Sequence, residues 1–331
     1  MFNIFRRNKI PSGLLPDYPD KNDYQLLAIQ PEKVALPEEY DLRTQMSPIG
    51  HQNWGSCWAW AATAVKEYLD SKQYGKTLNL SEKFVYHTGK TISQLWNIQG
   101  DYLRTGLKAL CKYGAPLLGD YPDTKEKNWG TYAKKEPLPE IYKKAEKYRG
   151  KTYWSVGKTL EDFKQAIYQQ KAPVVFGMMW HKSYNKPAKD GRLPLPDKSV
   201  GGHAVVAVGW TKNKLWVRNS WGLNHGSQGY FYIPFEEFNL HTIWNPWCLL
   251  DLSTQITGWV AQKYIQKAVT YKPNDLVEST VNDLNVREKP TVNSASLTKL
   301  KSKDRCVIIE DKNNGIQAEE YSWWKIKTQR S

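Results

Sequence analysis

The chain has 331 residues, of which 40% are hydrophobic, so it can form more than one folded domain with a sizeable core. No apolar run approaches the roughly 20 residues of a membrane span, and no signal-peptide pattern follows the charged N-terminus. The net charge of +14 is attributed to lysine-rich solvated surfaces, and we expect no nucleic-acid partner. We therefore expect a cytoplasmic protein, with release by lysis or signal-independent export left open.

Cysteine and histidine usage narrows the chemistry further. The four cysteines form no CxxC pair and the six histidines are dispersed, so we expect no metal and no cofactor. If one cysteine is a nucleophile, Cys111, Cys248 and Cys306 are left as an odd set in dissimilar contexts. This pattern does not indicate a disulfide framework and favours a reducing compartment.

The first strong pattern along the chain is a helix that begins after Ser56. From this N-cap candidate, apolar residues recur at helical spacing up to Asp70, which places Cys57 in the first turn. Unpaired backbone N–H groups and the helix dipole favour a thiolate there, so we expect a thiol pKa below its ordinary value of roughly 8.5. The alternative is a buried cysteine that serves as a small hydrophobic residue.

Further helices and strands follow in two groups. Helices are predicted after Ser81, over residues 102–112, near the basic stretch 143–149, and after a Thr159 cap that pairs with Asp162. Strands are predicted at 173–178, 203–210, 214–218 and 229–233. The sequence therefore predicts an α+β protein with a mainly helical lobe, a β-rich lobe and a cleft between them.

Two polar residues in the β-rich half complement the cysteine chemically. His203 opens an apolar strand and Asn219 ends another. An imidazole can take a thiol proton and return it to a leaving amine, and an asparagine oxygen can accept the other ring N–H. Trp221 is expected to shield that hydrogen bond from water. Gln52 and the backbone N–H of Cys57 are candidate oxyanion donors.

The motifs around these residues resemble those of the papain-like cysteine peptidases of bacterial type. Residues 55–59 (Gly-Ser-Cys-Trp-Ala), 202–205 (Gly-His-Ala-Val) and 218–222 (Arg-Asn-Ser-Trp-Gly) match the family's nucleophile, histidine and asparagine motifs in order. The resemblance implies a two-lobed papain-like fold with a helical lobe and a β-barrel-like lobe. It also implies a Cys57–His203–Asn219 triad that cleaves polypeptide substrates through a thioester acyl-enzyme.

Three departures from the family pattern matter for the site. Trp54 stands where most members have a cysteine, so the usual disulfide is absent. The spacing to Cys57 is one residue short, so His51 falls at the family's offset; we prefer Gln52, because an amide donor does not depend on pH. His225 replaces a frequent second tryptophan, and we interpret it as a tolerated surface substitution, with weaker shielding or substrate binding as alternatives.

An extended peptide in the cleft would pair with backbone on its walls. Gly100 is our candidate for that close approach, because it has no side chain, and a plain turn glycine is the alternative. Trp221 is the second residue that we assign to substrate binding.

The chain is predicted to divide into four parts: a leader segment (1–35), a peptidase domain (36–251), a connector (252–275) and a small all-β C-terminal domain (276–331). The leader is too short for the long helical inhibitory propeptide of many family members, although it could wrap the surface or cross the cleft. The last part resembles a bacterial SH3-like domain, which implies a peptidoglycan or protein ligand and a targeting role.

The sequence leaves three functions open. The first is a cysteine endopeptidase that acts on proteins. The second keeps the same chemistry but cleaves peptidoglycan cross-bridges, as a lysin does. The third is a catalytically silent protein that binds peptides in the cleft.

Overall fold

The computed structural model describes residues 13–20, 23, 25–26, 33–124, 126 and 128–250, together with the backbone of short strands between 257 and 329. These residues fall into two compact units that divide near residue 251. The first unit contains the predicted catalytic residues Cys57, His203 and Asn219.

Helices make up most of the first half of this unit. They are α1 (Cys57–Tyr74), α2 (Glu82–Ser93), α3 (Leu103–Tyr113), α4 (Trp129–Lys134), α5 (Pro139–Ala145) and α6 (Leu160–Gln170). Short 3-10 helices lie at Arg43–Gln45, Glu146–Tyr148, Lys182–Asn185 and Phe235–Leu240. Helix α1 is buried from Cys57 to Asp70 and ends at Gly75, whose φ of 64° is in the left-handed region that glycine adopts readily. None of the helices in the described residues is long and apolar enough to cross a bilayer.

The predicted helix starts hold with one exception. Ser81 accepts a hydrogen bond from the Phe84 amide, and Thr159 with Asp162 forms a complete capping box. Ser56 does precede α1, but its hydroxyl donates to the Asn53 carbonyl and caps no helical amide. Ser56 is thus the N-cap residue of α1, as predicted, but its side chain does not cap the helix, because the hydroxyl is bonded within the preceding turn.

Strands dominate the second half and join one sheet. They are β1 (Leu14–Leu15), β2 (Tyr40–Asp41), β3 (Asp101–Tyr102), β4 (Thr152–Ser155), β5 (Val174–His181), β6 (Ser199–Thr211), β7 (Lys214–Arg218), β8 (Tyr230–Pro234) and β9 (Ile243–Leu250). The order is β3-β1-β6-β5-β9-β4, with β2 and β7 also paired to β6 and β8 paired to β7. The four strands predicted from sequence are confirmed, whereas β1, β2, β3, β4 and β9 were not predicted.

The core lies where α1 packs on this sheet. The apolar residues of β5 and β6 that face the helices are nearly inaccessible, Val205 being 1% exposed and Phe176 fully buried. Burial of such side chains contributes roughly 2 kcal/mol each. At the first turn of α1 the backbone of Ala204 in β6 is hydrogen-bonded to Cys57, so the cysteine lies beside the residue that follows His203.

Strand β1 belongs to the predicted leader segment. It runs parallel to β3, which precedes helix α3, and pairs with Gly202 of β6 in the opposite direction. The leader thus lies as a bridge between the helical lobe and the β-rich lobe, at the position of the predicted cleft.

The second unit is an antiparallel sheet. Its strands are β10 (Thr257–Ala261), β11 (Leu276–Glu278), β12 (Leu284–Arg287), β13 (Ser296–Leu300), β14 (Arg305–Glu310), β15 (Ile316–Ala318) and β16 (Tyr321–Gln329). They follow the order β11-β14-β16-β10-β12-β13, with β15 on β16. Strand β10 lies in the range predicted as a connector but pairs with β12 and β16, so that range supplies a strand of the sheet. The remainder of the connector and the turns of the predicted SH3-like domain lie outside the described residues.

Candidate active site

Cys57 is the first residue of α1, as predicted, but its thiol is in the opposite state to the one expected. The side chain is fully buried. Burial raises the pKa of Cys57 to about 11, and the backbone hydrogen bonds from Ala204, Gly13 and the helix start oppose this shift only in part. The expectation of a low pKa is therefore wrong for this buried state. Desolvation of the sulfur raises the pKa by more than the hydrogen bonds at the helix start lower it.

His203 lies on β6 with its ring held on one side by the asparagine. Its Nε2 is 2.7 Å from Asn219 Oδ1, and both residues are buried. The ring packs 4.4 Å from that of Trp221 and 4.7 Å from that of Trp180, measured between centroids. Burial lowers the pKa of His203 to about 3, although the hydrogen bond to Asn219 acts in the other direction. The imidazole is therefore neutral.

Asn219 directly follows β7, and its amide makes hydrogen bonds from both ends. Besides the His203 ring, Oδ1 accepts from the Ser220 amide at 2.8 Å. The nitrogen Nδ2 lies 3.1 Å from Nδ1 of His225. Because the oxygen accepts from the imidazole, Nε2 of His203 carries the proton and Nδ1 is the unprotonated nitrogen. This nitrogen has no hydrogen-bond partner among the described residues.

Gln52 is buried between the Cys57 helix and the asparagine segment. Its Oε1 accepts from the Ser220 hydroxyl at 2.6 Å and from Trp221 Nε1 at 3.1 Å, and its Nε2 donates to the Trp54 carbonyl. Both acceptor contacts fix which end of the amide carries the N–H groups. His51 is exposed, and its Nδ1 lies 3.1 Å from the Gln52 carbonyl. Of the two candidates, Gln52 is thus the one that is buried beside the asparagine.

The loop that carries Gly100 is tied down without a disulfide. Trp54 is half-buried and has a φ of 56°, in the left-handed region. The following amide, of Gly55, donates to the side chain of Gln99 at 3.1 Å. The buried Lys90 ammonium donates to the carbonyls of Leu95, Ile98 and Gly100 and lies 3.3 Å from Asp101. A charge-assisted cluster thus holds the wall of the cleft.

The leader strand covers the cysteine. The Gly13 N–H lies against the Cys57 sulfur, and the Gly13 carbonyl accepts from the Asp101 amide at 2.9 Å. A Cβ atom on Gly100 would lie 2.4 Å from Gly13 O, and one on Gly202 would lie 2.4 Å from Leu14 O. Glycine at both wall positions is therefore what allows a strand of backbone to enter.

A buried carboxyl group anchors the leader beyond β1. Asp17 accepts from the Trp247 indole at 3.0 Å and from the Arg104 amide at 3.3 Å, and its own amide donates to Asn245 Oδ1. The Arg104 side chain also donates to Asp23 at 2.8 Å. Burial raises the pKa of Asp17 to about 6, against the hydrogen bond from Trp247 and the charge of Arg104.

Two residues near His203 differ from expectation. His225 is 7% exposed and contacts Asn219, so its interpretation as a surface substitution is wrong. Trp180 was missed, because strand β5 was predicted to end at Met178. The alternation of large apolar residues at 174, 176, 178 and 180 is the signal that would have extended the strand.

The donor atoms of this site suit acid–base and nucleophilic chemistry. Among the described residues, no three His, Cys, Asp or Glu side chains are grouped as metal ligands would be. The site combines Cys57 at a helix start with the neutral His203 imidazole, whose tautomer Asn219 fixes. The Gln52 side chain and the Cys57 backbone supply amide N–H groups.

Comparisons with known proteins agree with this geometry. The family model for papain family cysteine proteases matches residues 36–244. An uncharacterised peptidase C1-like protein of Acanthamoeba polyphaga mimivirus is 26% identical, covering 79% of this chain and 83% of the relative. Mexicain of Jacaratia mexicana is 30% identical, covering 60% of this chain and 88% of mexicain.

A solved structure extends the similarity to the three-dimensional fold. Xylellain, a cysteine protease from Xylella fastidiosa, has a TM-score of 0.64 at 27% identity, over 75% of this chain and 98% of xylellain. Together with the family match, which spans more than half of the sequence, this likeness supports cysteine-type peptidase activity. The chain belongs to the papain family of cysteine proteases.

Proposed function

We propose that the chain is a cysteine endopeptidase in which Cys57, His203 and Asn219 hydrolyse peptide bonds through a thioester. The observation that carries this proposal is the buried 2.7 Å hydrogen bond from His203 to Asn219, together with the hydrogen bond from the amide of the next residue, Ala204, to the Cys57 sulfur. The bond fixes the histidine tautomer, and it leaves Nδ1 as the nitrogen that can take the thiol proton.

The reaction follows from that proton arrangement. His203 Nδ1 takes the proton of Cys57, and the sulfur attacks the substrate carbonyl. The Cys57 backbone N–H and the Gln52 amide stabilise the negative oxygen. The imidazolium then protonates the leaving amine, which leaves an acyl group on sulfur. Water, deprotonated by the same imidazole, hydrolyses the thioester and restores the thiol.

The walls of the cleft support a polypeptide substrate. The chain's own strand β1 already lies there, with backbone pairing on both sides and no side chain at Gly100 or Gly202. A substrate strand can use the same backbone groups once β1 has left. Trp221, packed on the His203 ring, limits water at the hydrogen bond to Asn219.

The same observations support a latent resting state. The Cys57 sulfur faces an N–H group of the leader, and the carbonyl of Gly13 is already bonded to Asp101. The leader therefore fills the space beside the sulfur that a substrate needs. Activity requires that residues 13–17 leave the cleft.

We further propose that the C-terminal sheet is an SH3-like targeting module that binds peptidoglycan or a protein. Its described strands are short and antiparallel, as in small barrels. Peptidoglycan cross-bridges are the alternative substrate that such a module would favour.

Replacing the proposed nucleophile is the first test. In a chain whose leader strand is displaced by Leu14→Asp, Cys57→Ala should lower turnover of an internally quenched peptide, blocked at both ends, by on the order of 10⁴-fold or more. Melting temperature serves as the control for folding. The partly exposed Cys111 provides the matched variant, since Cys111→Ala should retain activity. Full turnover by Cys57→Ala would contradict the assignment.

Displacing the leader is the second test. Leu14 is buried beside Gly177 and Gly202, so Leu14→Asp places a charge in an apolar site and should raise peptidase activity at least about tenfold. Pro19→Asp adds the same charge at an exposed leader position and should not activate. Equal activation by both variants would contradict leader control.

Thiol labelling measures, without a substrate, whether the leader strand covers Cys57. A pKa of about 11 leaves roughly one thiol in 10⁴ ionised at pH 7, so iodoacetamide should label Cys57 of the unaltered chain slowly and faster as pH rises. The Leu14→Asp variant should be labelled rapidly at pH 7, as located by peptide mass spectrometry. Rapid labelling of the unaltered chain at neutral pH would contradict the closed state.

Truncation tests the targeting module. A chain that ends at residue 250 should cleave the short quenched peptide as well as the full chain does, but should no longer sediment with purified peptidoglycan. Equal sedimentation would remove the targeting role. Release of peptides from peptidoglycan by the full chain, lost in Cys57→Ala, would instead favour the lysin-like substrate.

A further inference from the structure

A third histidine lies directly behind the asparagine of the site. His225 follows β7 by a short turn, and its Nδ1 is 3.1 Å from Asn219 Nδ2 while its Nε2 is 3.1 Å from the Tyr184 carbonyl. The ring is buried between Trp180, Trp221 and Phe231. A position that resembled a surface substitution is therefore part of the interior.

The partners of this ring determine its protonation. The Tyr184 carbonyl can only accept, so Nε2 of His225 carries the hydrogen. The opposite nitrogen of a neutral ring is then an acceptor, which matches the N–H donors on Asn219 Nδ2. Burial lowers the pKa of His225, against the hydrogen bond to Tyr184, and so keeps the ring neutral.

These bonds run in one direction across the site. His203 donates to Asn219, Asn219 donates to His225, and His225 donates to the Tyr184 carbonyl. The two ends of an asparagine amide are nearly equal in shape, so only its partners decide which end faces His203. The Ser220 amide favours the same orientation from the oxygen side.

We propose that His225 is a positioning residue that holds Asn219 with its oxygen toward His203 and so maintains the productive tautomer of the catalytic imidazole. This inference rests on the proposed function for its kinetic consequence, but its structural content is independent of activity. An acceptor at position 225 is the required property. An apolar residue of similar size would fill the space without fixing the amide.

Two variants separate the hydrogen bond from the packing. His225→Leu removes the acceptor, and His225→Gln restores one through its Oε1. In the Leu14→Asp background, His225→Leu should lower kcat about tenfold with little change in KM, the size expected for one neutral hydrogen bond. His225→Gln should recover most of that loss. His241→Leu is the matched control, because His241 is also buried on Tyr184, at its hydroxyl, and has no hydrogen bond to Asn219.

Nitrogen NMR of the imidazole rings supplies a readout that does not need turnover. In the unaltered full chain, His203 should show a single tautomer with the proton on Nε2, and His225→Leu should show a mixture. A pure Nε2–H tautomer in His225→Leu, with unchanged kcat, would overturn the inference. Equal loss of kcat and of melting temperature in the Leu and Gln variants would also overturn it, because the role would then be packing alone.

Failure of the proposed function would give a different result. In that case Leu14→Asp alone would show no turnover and no labelling of Cys57 by an irreversible epoxide inhibitor, whatever residue stands at 225. The tautomer measurement would still decide whether His225 orients Asn219.

Discussion

The site depends on a buried junction that fixes the segment before the cysteine helix against the end of β7. The Arg218 guanidinium donates to the carbonyls of Ser47 and Pro48, and the Ser47 hydroxyl donates to the buried Glu67 carboxylate on α1. Burial raises the pKa of Glu67, while the nearby charge of Arg218 lowers it. Loss of the Arg218 guanidinium would leave the buried Ser47 carbonyl without this donor, and an unsatisfied buried polar group costs about 1–3 kcal/mol. Since Asn219 follows Arg218 directly, this junction sets the register between the two halves of the site.

Two opposing effects set the pKa of the Cys57 thiol: burial raises it, and the N-terminus of α1 lowers it. A helix terminus stabilises a nearby charge by about 0.3–1 kcal/mol, and by about 2 kcal/mol in favourable geometry. A rise of the Cys57 pKa from 9.0 to about 11 corresponds to roughly 3 kcal/mol against the thiolate. Desolvation by burial thus exceeds the stabilisation that the helix N-terminus can supply. Cys57 lies at a helix start, where a thiolate is favoured, but its burial keeps the thiol neutral.

Local patterns predicted the helix and the strands that carry the candidate site, whereas elements that form only by long-range pairing were not predicted. The α1 periodicity, the Thr159 cap and the apolar strands around His203 are local features, which is why the sequence alone placed the cysteine and histidine in separate lobes. Strand β1 has two residues and forms only by pairing with segments far along the chain, so no periodicity could indicate it. Burial also depends on contacts distant in sequence, and for that reason the Cys57 pKa and the interior position of His225 were both predicted wrongly.

The central claim is that Cys57 carries the acyl group during turnover, and acid quenching tests it most directly. The Leu14→Asp chain would be mixed with an activated ester of a short peptide, quenched within milliseconds to seconds, digested and analysed by mass spectrometry. The account predicts an acyl adduct on the peptide that contains Cys57, released by hydroxylamine as a thioester is. Steady turnover with no adduct on Cys57, or with the acyl group on another residue, would contradict it.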